Sequence, residues 1–356
     1  MLNKREDLLS LFKRQGYSHV PIHFELSPAL VERYREETGS DMDYRDYYGF
    51  SYRDIGYPIL VEQEREEFKR YYDSDLFPDA EIDLWGVGHL YISSSAVHFN
   101  RMLHPLENIE DREQIITYPF PEFNGTSLES LKAEVNTIHK RGLASVANMQ
   151  CTIWEIAWYL RGMEELMVDM MTDDPKAEYL LDRVTDIRCL QAEAYTRAGA
   201  DILFLGDDIG MQETILMSED LYCTWIKPRL RKVISTAKEI NPDILVIYHS
   251  CGYIYPFIPH LIEVGIDVLN PIQPESMDFG KIYDMFGDRI SFYGTIGTQT
   301  TMPYGSPEDV RREVFKNLSI AGDKGGLLVA PTHVLEPDVP WENVVAYVNA
   351  CRDFLR

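Results

Sequence analysis

An imidazole and a thiol lie two residues apart in the motif His249-Ser250-Cys251-Gly252, directly after the apolar run at 244–248 (ILVIY). In an extended chain, alternate residues point to the same face, so both side chains can converge on one ion. Imidazole nitrogen and thiolate sulfur suit Zn²⁺, which takes such ligands in tetrahedral geometry. The pair therefore predicts a zinc site, with a buried structural cysteine beside an ordinary histidine as the alternative.

A third metal ligand is predicted after the last apolar run of the chain. The run at 326–331 (GLLVAP) is followed by Thr332-His333, so His333 occupies a position equivalent to that of His249. Three protein ligands and one open position are the arrangement of a catalytic zinc ion rather than a structural one. The alternative for His333 is a loop histidine that hydrogen-bonds to Asp338.

Acidic residues follow two other apolar runs. Asp207 and Asp208 come directly after 202–206 (ILFLG), and because adjacent residues point in opposite directions, one of them is expected to face the site. The alternative is that they cap the following segment. Glu155 begins a helix after the run at 143–150, where it is predicted to be a displaceable fourth metal ligand or a substrate contact. Carboxylates are also favoured in the first turn of any helix.

Four side chains are predicted to contact a substrate. His23 lies on the first predicted strand, while Asp207, Gln273 and Tyr293 stand at or just after the ends of later strands. A tyrosine-rich stretch nearer the N-terminus is predicted either to wall an aromatic pocket or simply to pack in the core. Its members are Tyr44, Tyr47, Tyr48, Phe50 and Tyr52.

The elements that would position these residues alternate between strand and helix. Nearly continuous apolar runs are typical of strands buried on both faces of a parallel sheet, so the alternation predicts βα units. The five predicted strands of the second half lie at 202–206, 244–248, 266–270, 289–294 and 326–331. Candidates at 20–26, 84–91 and 143–150 bring the total to eight, the number in a closed barrel.

The predicted fold is therefore α/β, a (β/α)8 TIM barrel. We expect a single domain over 1–356, with a helical and irregular insertion at about 41–124 that holds the residues a plain barrel does not need. Such barrels carry their chemistry at the carboxyl ends of the strands, where the candidate residues lie. An open doubly wound sheet is the structural alternative, although no glycine-rich phosphate motif begins any of the predicted helices.

Composition narrows the classes of function. The 356 residues include 34 Lys and Arg against 58 Asp and Glu, a net charge of −24. A field of that sign repels phosphate backbones and anionic lipid, so binding to nucleic acid or to a membrane surface is not expected. The five cysteines lack the spacing of a disulfide scaffold, and no signal peptide or long apolar run is present. We therefore predict a cytoplasmic protein.

Eight segments resemble the uroporphyrinogen-decarboxylase-like superfamily. The resemblance extends from about Val20 to the C-terminus and implies a (β/α)8 barrel. The segments are DLWGVG (83–88), HPLEN (104–108), YPFPEF (118–123), GDDIGMQETILMS (206–218), HSCGYIYPFIPHLIEVGIDVLNPIQPESMD (249–278), FGDRISFYGTIGTQ (286–299), SPEDVRREV (306–314) and APTHVLEPDVPWENV (330–344).

Within that superfamily, the chain is more similar to the zinc-dependent, corrinoid-linked methyltransferases than to the decarboxylases. The decarboxylases carry an arginine-containing motif near the N-terminus that holds substrate carboxylates, whereas VPIHFELSPAL (20–30) has no arginine. Members that methylate coenzyme M have a cysteine as third ligand in a sequence like APGC, whereas this chain has His333 in APTH. The first hundred residues resemble methyltransferase I of O-demethylase systems.

The resemblance implies transfer of a methyl group from a small-molecule donor, an aryl methyl ether, to the cobalt(I) of a corrinoid (cobalamin) carried by a partner protein. The implied cofactor is Zn²⁺ held by His249, Cys251 and His333, acting as a Lewis acid on the ether oxygen. Asp208 or Glu155 is the predicted catalytic acid. Alternatives are methyl transfer between a corrinoid and a thiol, a metal-free decarboxylase, and a non-enzymatic barrel. The sequence is compatible with a homodimer.

Overall fold

A computed structural model describes residues 3–56, 60–61, 63–72, 79–91, 100–123 and 128–355. The strands are β1 (Tyr52–Asp54), β2 (Leu60–Val61), β3 (Glu81–Ile82), β4 (Gly88–Tyr91), β5 (Asn100–Leu103), β6 (Glu122–Phe123), β7 (Ala144–Gln150), β8 (Ile202–Gly206), β9 (Leu245–His249), β10 (Val268–Asn270), β11 (Ser291–Tyr293) and β12 (Leu327–Leu328). The α-helices are α1 (Lys4–Phe12), α2 (Pro28–Thr38), α3 (Tyr44–Tyr48), α4 (Arg65–Phe68), α5 (Arg112–Ile116), α6 (Leu128–Lys140), α7 (Trp154–Arg161), α8 (Met163–Met171), α9 (Pro175–Ala198), α10 (Glu219–Leu221), α11 (Lys227–Ile240), α12 (Ile258–Val264), α13 (Phe279–Phe286), α14 (Thr301–Tyr304), α15 (Pro307–Ala321) and α16 (Trp341–Asp353). Short 3₁₀ turns lie at Lys69–Tyr71 and Tyr255–Phe257, and a π-helical turn lies at Tyr222–Ile226.

Seven parallel strands form the central sheet, in the order β1-β7-β8-β9-β10-β11-β12. Helices connect successive strands, as parallel pairing requires. All five residues of β8 are buried, which agrees with a strand covered on both faces. The predicted α/β fold of the TIM-barrel type is confirmed.

An extended segment rather than a regular strand lies between the two edges of this sheet. Residues 20–26, predicted as the first strand, form only a single bridge, from Leu26 to Leu335. The Tyr347 hydroxyl lies 3.0 Å from the carbonyl oxygen of His23 and 2.9 Å from that of Val329, beyond β12. On the other side, the His23 ring stacks on Tyr52 of β1 at 4.5 Å. The segment thus takes the place of the eighth strand.

One predicted barrel strand is wrong, and its place is taken by a segment assigned to the insertion. Within 84–91, β4 pairs with β3 and β5 in a separate antiparallel sheet. The barrel strand is instead β1, at 52–54, which pairs with β7. Its residues Tyr-Arg-Asp run from buried to exposed, so they lack the continuous apolar pattern of the other strands. Parts of the predicted insertion, at 57–59, 62, 73–78, 92–99 and 124, lie outside the described residues.

Local residue types explain where the helices begin and end. α15 follows Ser306, whose hydroxyl accepts a hydrogen bond from the Asp309 N–H at 3.2 Å, while the Asp309 carboxylate accepts from the Ser306 N–H at 2.9 Å. α9 begins with a proline after Asp174 and ends at Gly199, which adopts a left-handed conformation. Among the described residues, no helix combines the length and apolar character needed to cross a bilayer.

Helix α1 closes the amino-terminal end of the barrel. Its buried face, formed by Leu8, Leu11 and Phe12, packs against side chains that point into the barrel, among them Ile202 and Ile247. Because this end is filled with apolar side chains, a ligand can enter only from the carboxyl ends of the strands. That is the end at which the candidate residues lie.

Replacing Leu11 with alanine is expected to lower the free energy of unfolding by about 2–5 kcal/mol, because the side chain is fully buried and its loss leaves a cavity. Urea denaturation of the two proteins measures the difference. As a control, Lys13→Ala should change it by less than about 0.5 kcal/mol, because this lysine is exposed. Equal effects of the two substitutions would contradict the role of the buried face of α1 in closing this end of the barrel.

Candidate metal centre and active site

Three potential ligand atoms converge at the carboxyl ends of two neighbouring strands. Asp208 follows β8, while His249 ends β9 and Cys251 lies two residues beyond it. The Cys251 Sγ lies 3.4 Å from the His249 Nε2, which in turn lies 3.6 Å from an Asp208 oxygen. One ligand atom from each residue lies within 4.8 Å of the other two.

These spacings fit a tetrahedral zinc ion. Zn–N and Zn–O bonds of about 2.1 Å and a Zn–S bond of 2.3 Å place neighbouring ligand atoms roughly 3.4–3.6 Å apart. The two measured distances, 3.4 and 3.6 Å, lie in that range. The donor set of one imidazole, one thiol and one carboxylate is also chemically suited to zinc.

A hydrogen-bond chain fixes which nitrogen of His249 faces the other ligands. The amide nitrogen of Asn270 donates to the Tyr293 carbonyl at 2.9 Å, so its Oδ1 is the acceptor that faces the His249 Nδ1 at 2.7 Å. The proton of His249 therefore lies on Nδ1, which leaves the lone pair of Nε2 for a metal ion. Such outer contacts orient metal-binding histidines in general.

The backbone of the 249–252 motif is fixed by a hydrogen bond to Asp208 and by close contacts that only glycine permits. The Cys251 N–H donates to an Asp208 oxygen at 2.8 Å, and the Asp208 N–H donates to Glu155 Oε2 at 3.2 Å. Gly252 has φ +80°, and a Cβ there would lie 2.5 Å from the Met211 carbonyl oxygen. At Gly206, a Cβ would lie 2.6 Å from that of His249, so only glycine allows this close approach of the strand ends.

Glu155 lines the same cavity from α7. Its Oε1 accepts a hydrogen bond from the Tyr159 hydroxyl, one helical turn further on, at 2.9 Å. Burial raises the pKa of Glu155, and the nearby carboxylates of Asp207 and Asp208 raise it further. Burial likewise raises the pKa of the Cys251 thiol, with Asp208 and Glu155 adding to the effect. A bound cation would reverse these shifts, because metal ligands bind in their deprotonated form.

The prediction that Asp207 contacts a substrate is corrected by its burial. Its side chain is fully buried, and its carboxylate accepts hydrogen bonds from the N–H groups of Ile153 and Glu155 at 2.9–3.1 Å. It therefore caps the N-terminus of α7. Of the two adjacent aspartates, Asp207 takes the capping role and Asp208 faces the cavity.

His333 lies across the cavity from the three ligand atoms. The ring centroids of His249 and His333 are 6.5 Å apart, whereas two imidazoles on one tetrahedral zinc ion bring their centroids to about 5 Å. The side chain that lies at ligand distance from His249 is therefore that of Asp208, whereas the sequence predicted His333 as the third ligand. The His333 side chain instead lines both of the cavities that meet here.

The larger of these cavities, which we call the metal cavity, has a volume of about 380 Å³ and is lined by Glu155, Asp208, His249 and His333. His23 and Tyr293, two of the predicted substrate contacts, also line it. An outer cavity of about 370 Å³ borders Cys251 and His333. No lysine or arginine lines either cavity within the part of the chain that is described.

Gln273, also predicted to contact a substrate, lines only the outer cavity. Its Oε1 accepts a hydrogen bond from the Gly252 N–H at 3.0 Å. The described contact is thus with the loop that carries Cys251. Gln273 therefore supports this loop and does not line the metal cavity.

His23 is buried in the wall of the metal cavity and is kept neutral. Its Nδ1 lies 2.6 Å from the Tyr293 hydroxyl, which lies 3.2 Å from the Tyr52 hydroxyl. Among the described residues, the Tyr52 hydroxyl has no other side-chain hydrogen-bond partner. Both hydroxyl protons can therefore form hydrogen bonds only if Tyr52 donates to Tyr293 and Tyr293 donates to the His23 Nδ1. Burial lowers the pKa of His23 to about 3, and Arg45 and Arg53 add to this effect.

The burial of neutral His23 predicts a loss of stability in acid. The unfolded chain binds a proton at the ordinary pKa of 6.5, whereas folded His23 stays neutral until pH falls to about 3. The stabilisation is therefore complete above pH 6.5 and is lost as pH falls towards 3, amounting to about 2 kcal/mol between pH 8 and pH 5. Urea denaturation across this range should show a shallower pH dependence for His23→Gln. Equal pH dependence in both proteins would contradict the assignment.

Three residues of the site were not identified from the sequence. Asn270 orients His249, Tyr159 contacts Glu155, and Cys151 lines the metal cavity with a left-handed φ of +53°. A signal existed for two of them. Asn270 is a polar residue at a strand end, and Tyr159 lies four residues after Glu155 on the same face of α7.

Comparison with known proteins identifies the family to which the chain belongs. The sequence profile of the family described as uroporphyrinogen decarboxylase (URO-D) matches residues 104–354. A methylated-thiol–coenzyme M methyltransferase from Methanosarcina mazei is 27% identical over 229 residues, which cover 62% of this chain and 56% of that protein. The chain thus spans little more than half the length of this relative.

Other relatives extend over more of the chain. A uroporphyrinogen decarboxylase from Vesicomyosocius okutanii is 23% identical over 280 residues, 76% of each protein. The solved structure of a methyltransferase from Methanosarcina mazei covers all of both chains with a TM-score of 0.69 at 18% identity, so the fold is shared. Since the family profile matches more than half of the sequence, the chain belongs to the uroporphyrinogen decarboxylase family.

Proposed function

We propose that this chain is a zinc-dependent methyltransferase that transfers a methyl group from an aryl methyl ether to the cobalt(I) of a corrinoid carried by a partner protein. The observation that carries the proposal is the convergence of Asp208, His249 and Cys251 at the spacing of zinc ligands, with Asp208 and His249 lining the metal cavity and Cys251 lining the adjoining outer cavity. Its relationship to a methyltransferase over 62% of the chain supports the same class of reaction.

The zinc ion would be held by His249 Nε2, Cys251 Sγ and an Asp208 oxygen. When bound, it supplies a Lewis acid that stabilises negative charge on the leaving oxygen of the ether. Asp208 thereby moves from the catalytic acid expected from the sequence to the metal ligands. Asn270 fixes the His249 ring through its contact of 2.7 Å, and the Cys251 N–H holds Asp208 in place.

The other residues of the metal cavity would bind and orient the donor. His23 presents its Nε2–H to the cavity, because its Nδ1 accepts the Tyr293 proton. Glu155 is the candidate catalytic acid beside the ligands, with its carboxylate oriented by Tyr159. His333 lies at the junction of the metal cavity and the outer cavity, where a donor and an acceptor would meet.

Decarboxylation of a polycarboxylate fits these cavities poorly. Substrate carboxylates in protein sites are typically held by arginine or lysine. Of the described residues, neither an arginine nor a lysine lines the metal cavity or the outer cavity, whereas Glu155 and Asp208 do line the metal cavity. A substrate with several carboxylates would therefore enter a site of the same charge.

A thiol is the second candidate substrate. The relative from Methanosarcina mazei is named for a methylated thiol and coenzyme M, and His249 and Cys251 lie within the residues of this chain that the family profile matches. A zinc ion in this site would favour the thiolate form of a bound thiol. The same ligand set thus supports either donor.

The test of this function uses zinc-loaded protein and a corrinoid protein whose cobalt has been reduced to cobalt(I). The mixture is incubated with an aryl methyl ether, a methylated thiol or a methylamine as the methyl donor. We expect loss of cobalt(I) absorbance and formation of methyl-cobalt with an aryl methyl ether. Protein stripped of metal is the control and should give no reaction. Reaction with methylated thiols alone would favour the second candidate, and no reaction with any donor would contradict the proposal.

A further inference from the structure

A third cavity adjoins the metal cavity on the side away from the outer cavity. It has a volume of about 240 Å³, and we call it the distal chamber. The distal chamber shares His23, Phe24 and Glu25 with the metal cavity, so the two cavities lie side by side. Its other walls come from Leu26 and from residues within 44–54, a region that the sequence assigned to the insertion.

Aromatic rings form much of the wall of the distal chamber. Phe24 stacks on Tyr44 at 5.8 Å and meets Phe50 edge to face at 5.1 Å. His23 stacks on Tyr52 at 4.5 Å. Buried rings that contact one another in this way hold a fixed shape and present flat faces to a ligand. The aromatic pocket expected from the sequence thus exists for Tyr44, Phe50 and Tyr52.

The charged groups of the distal chamber leave negative charge without a partner. Within the described residues, the carboxylates of Glu25 and Asp54 form neither a hydrogen bond nor an ion pair. Burial and the neighbouring Asp54 raise the pKa of Glu25, while Arg45 opposes this rise. Arg45 lies too far from both carboxylates for an ion pair and donates its Nε–H to Asp43 at 3.2 Å.

The second guanidinium is committed elsewhere. Arg53 donates to the carbonyl oxygen of Tyr52 at 2.7 Å and forms a close ion pair with Asp46. Arg53 thus has an acidic partner in Asp46, which also pairs with Arg141, and Arg45 has one in Asp43. The groups in the distal chamber that await a counter-charge are therefore Glu25 and Asp54.

A side-chain nitrogen without a protein partner lies at the junction of the two cavities. His23 is 6% exposed, and its Nδ1 is taken by Tyr293, yet no described residue bonds to its Nε2. That nitrogen is not enclosed by protein, because the ring lines both cavities. Its N–H group can therefore donate a hydrogen bond to a ligand oxygen at the junction.

We infer that the distal chamber binds a positively charged amino group of the methyl donor, with the aromatic ring of the donor held between the distal chamber and the metal. This inference rests on the proposed function and names the substrate class as aryl methyl ethers that carry a cationic amine. Two carboxylates attract the ammonium group, and the surrounding ring faces add cation–π attraction. A carboxylate on the donor would instead be repelled by Glu25 and Asp54.

The test compares three ligands of nearly equal shape, 4-methoxybenzylamine, 4-methoxybenzyl alcohol and 4-methoxybenzoate, by calorimetry with zinc-loaded protein at pH 7. We expect the amine to bind about tenfold more tightly than the alcohol, and the benzoate to bind most weakly. The double variant Glu25→Gln/Asp54→Asn should lose most or all of the preference for the amine over the alcohol. Raised salt should also weaken amine binding in the wild type.

A matched control and a second variant keep the test decisive. Glu239→Gln removes an exposed carboxylate near the end of α11, remote from the three cavities, and should retain the preference for the amine. Circular dichroism checks that the double variant is folded. Tightest binding of the benzoate, weakened by Arg45→Gln, would overturn the inference, as would equal binding of all three ligands.

Failure of this inference is distinguishable from failure of the proposed function. Ligand binding is measured without a corrinoid protein, so a preference for the amine would support the distal chamber even if no methyl group is transferred. Conversely, methyl transfer from aryl ethers with no dependence on their charge would support the proposed function and overturn the inference.

Discussion

Replacing Cys251 with alanine is expected to abolish stoichiometric zinc binding and to lower methyl transfer about a thousandfold or more. Loss of an outer-shell partner alone typically costs a metalloenzyme ten- to a hundredfold, and the loss of a direct ligand is expected to cost more. The sulfur lies 3.4 Å from the His249 Nε2, so both atoms can share one ion. Metal content after dialysis, measured by mass spectrometry, checks the first effect, and methyl-cobalt formation checks the second.

The matched control is Cys189→Ala, which removes a thiol on α9 that lines none of the cavities described above. It should keep full zinc content and activity. Cys251→Ala should remain folded, because the side chain is partly exposed and contributes little to the core. Full zinc content in folded Cys251→Ala would contradict the proposed metal centre.

The motif around Cys251 could be predicted because its geometry is local. Residues 249 and 251 share a face wherever the chain is extended, and the apolar run before them marks the strand that delivers them. The pair Asp207-Asp208 was also informative, since alternation predicts that only one faces the cavity. Asp208 faces the cavity, whereas Asp207 caps α7, a helix that precedes it in the chain, and not the segment that follows, as the sequence pattern suggested.

The position of the His333 side chain could not be predicted, because it depends on the path of a loop. β12 ends at Leu328, and residues 329–335 continue without regular strand geometry, so the direction of His333 follows from tertiary packing. The barrel strand β1 was missed for a related reason. Only Tyr52 in it is buried, so its three residues carry no apolar run, and their assignment required knowledge of the partner strand β7.

The aromatic stretch before β1 shows the same limit. Tyr44 and Tyr48 lie on one short helix, but Tyr44 lines the distal chamber whereas Tyr48 packs against Phe24 and Tyr34. Sequence alone could not separate a pocket wall from core packing. The contacts of each ring decide it, and they depend on the position of the segment 20–26.

Asp208→Asn is expected to weaken zinc binding about a hundredfold, and it distinguishes the two candidate third ligands. Asparagine keeps the shape of the side chain and can still accept the Cys251 N–H, so the change removes mainly the negative charge beside the ion. His333→Gln should leave zinc binding nearly unchanged and reduce methyl transfer, because its ring lines the cavities without meeting the ligand spacing. Competition with a chromophoric chelator measures both affinities.

Asp338→Asn is the matched control for Asp208→Asn, since it removes a carboxylate from the wall of the outer cavity alone. It should leave zinc affinity within about twofold of the wild type, because charge beyond the ligand atoms is screened by solvent in an open cavity. A greater loss of affinity in His333→Gln than in Asp208→Asn would reverse the assignment. The ligands would then be His249, Cys251 and His333, and the His333 ring would have to move towards His249 on metal binding, since their centroids lie 6.5 Å apart. Zinc affinity in these variants therefore decides whether the carboxylate of Asp208 or the imidazole of His333 completes the metal centre.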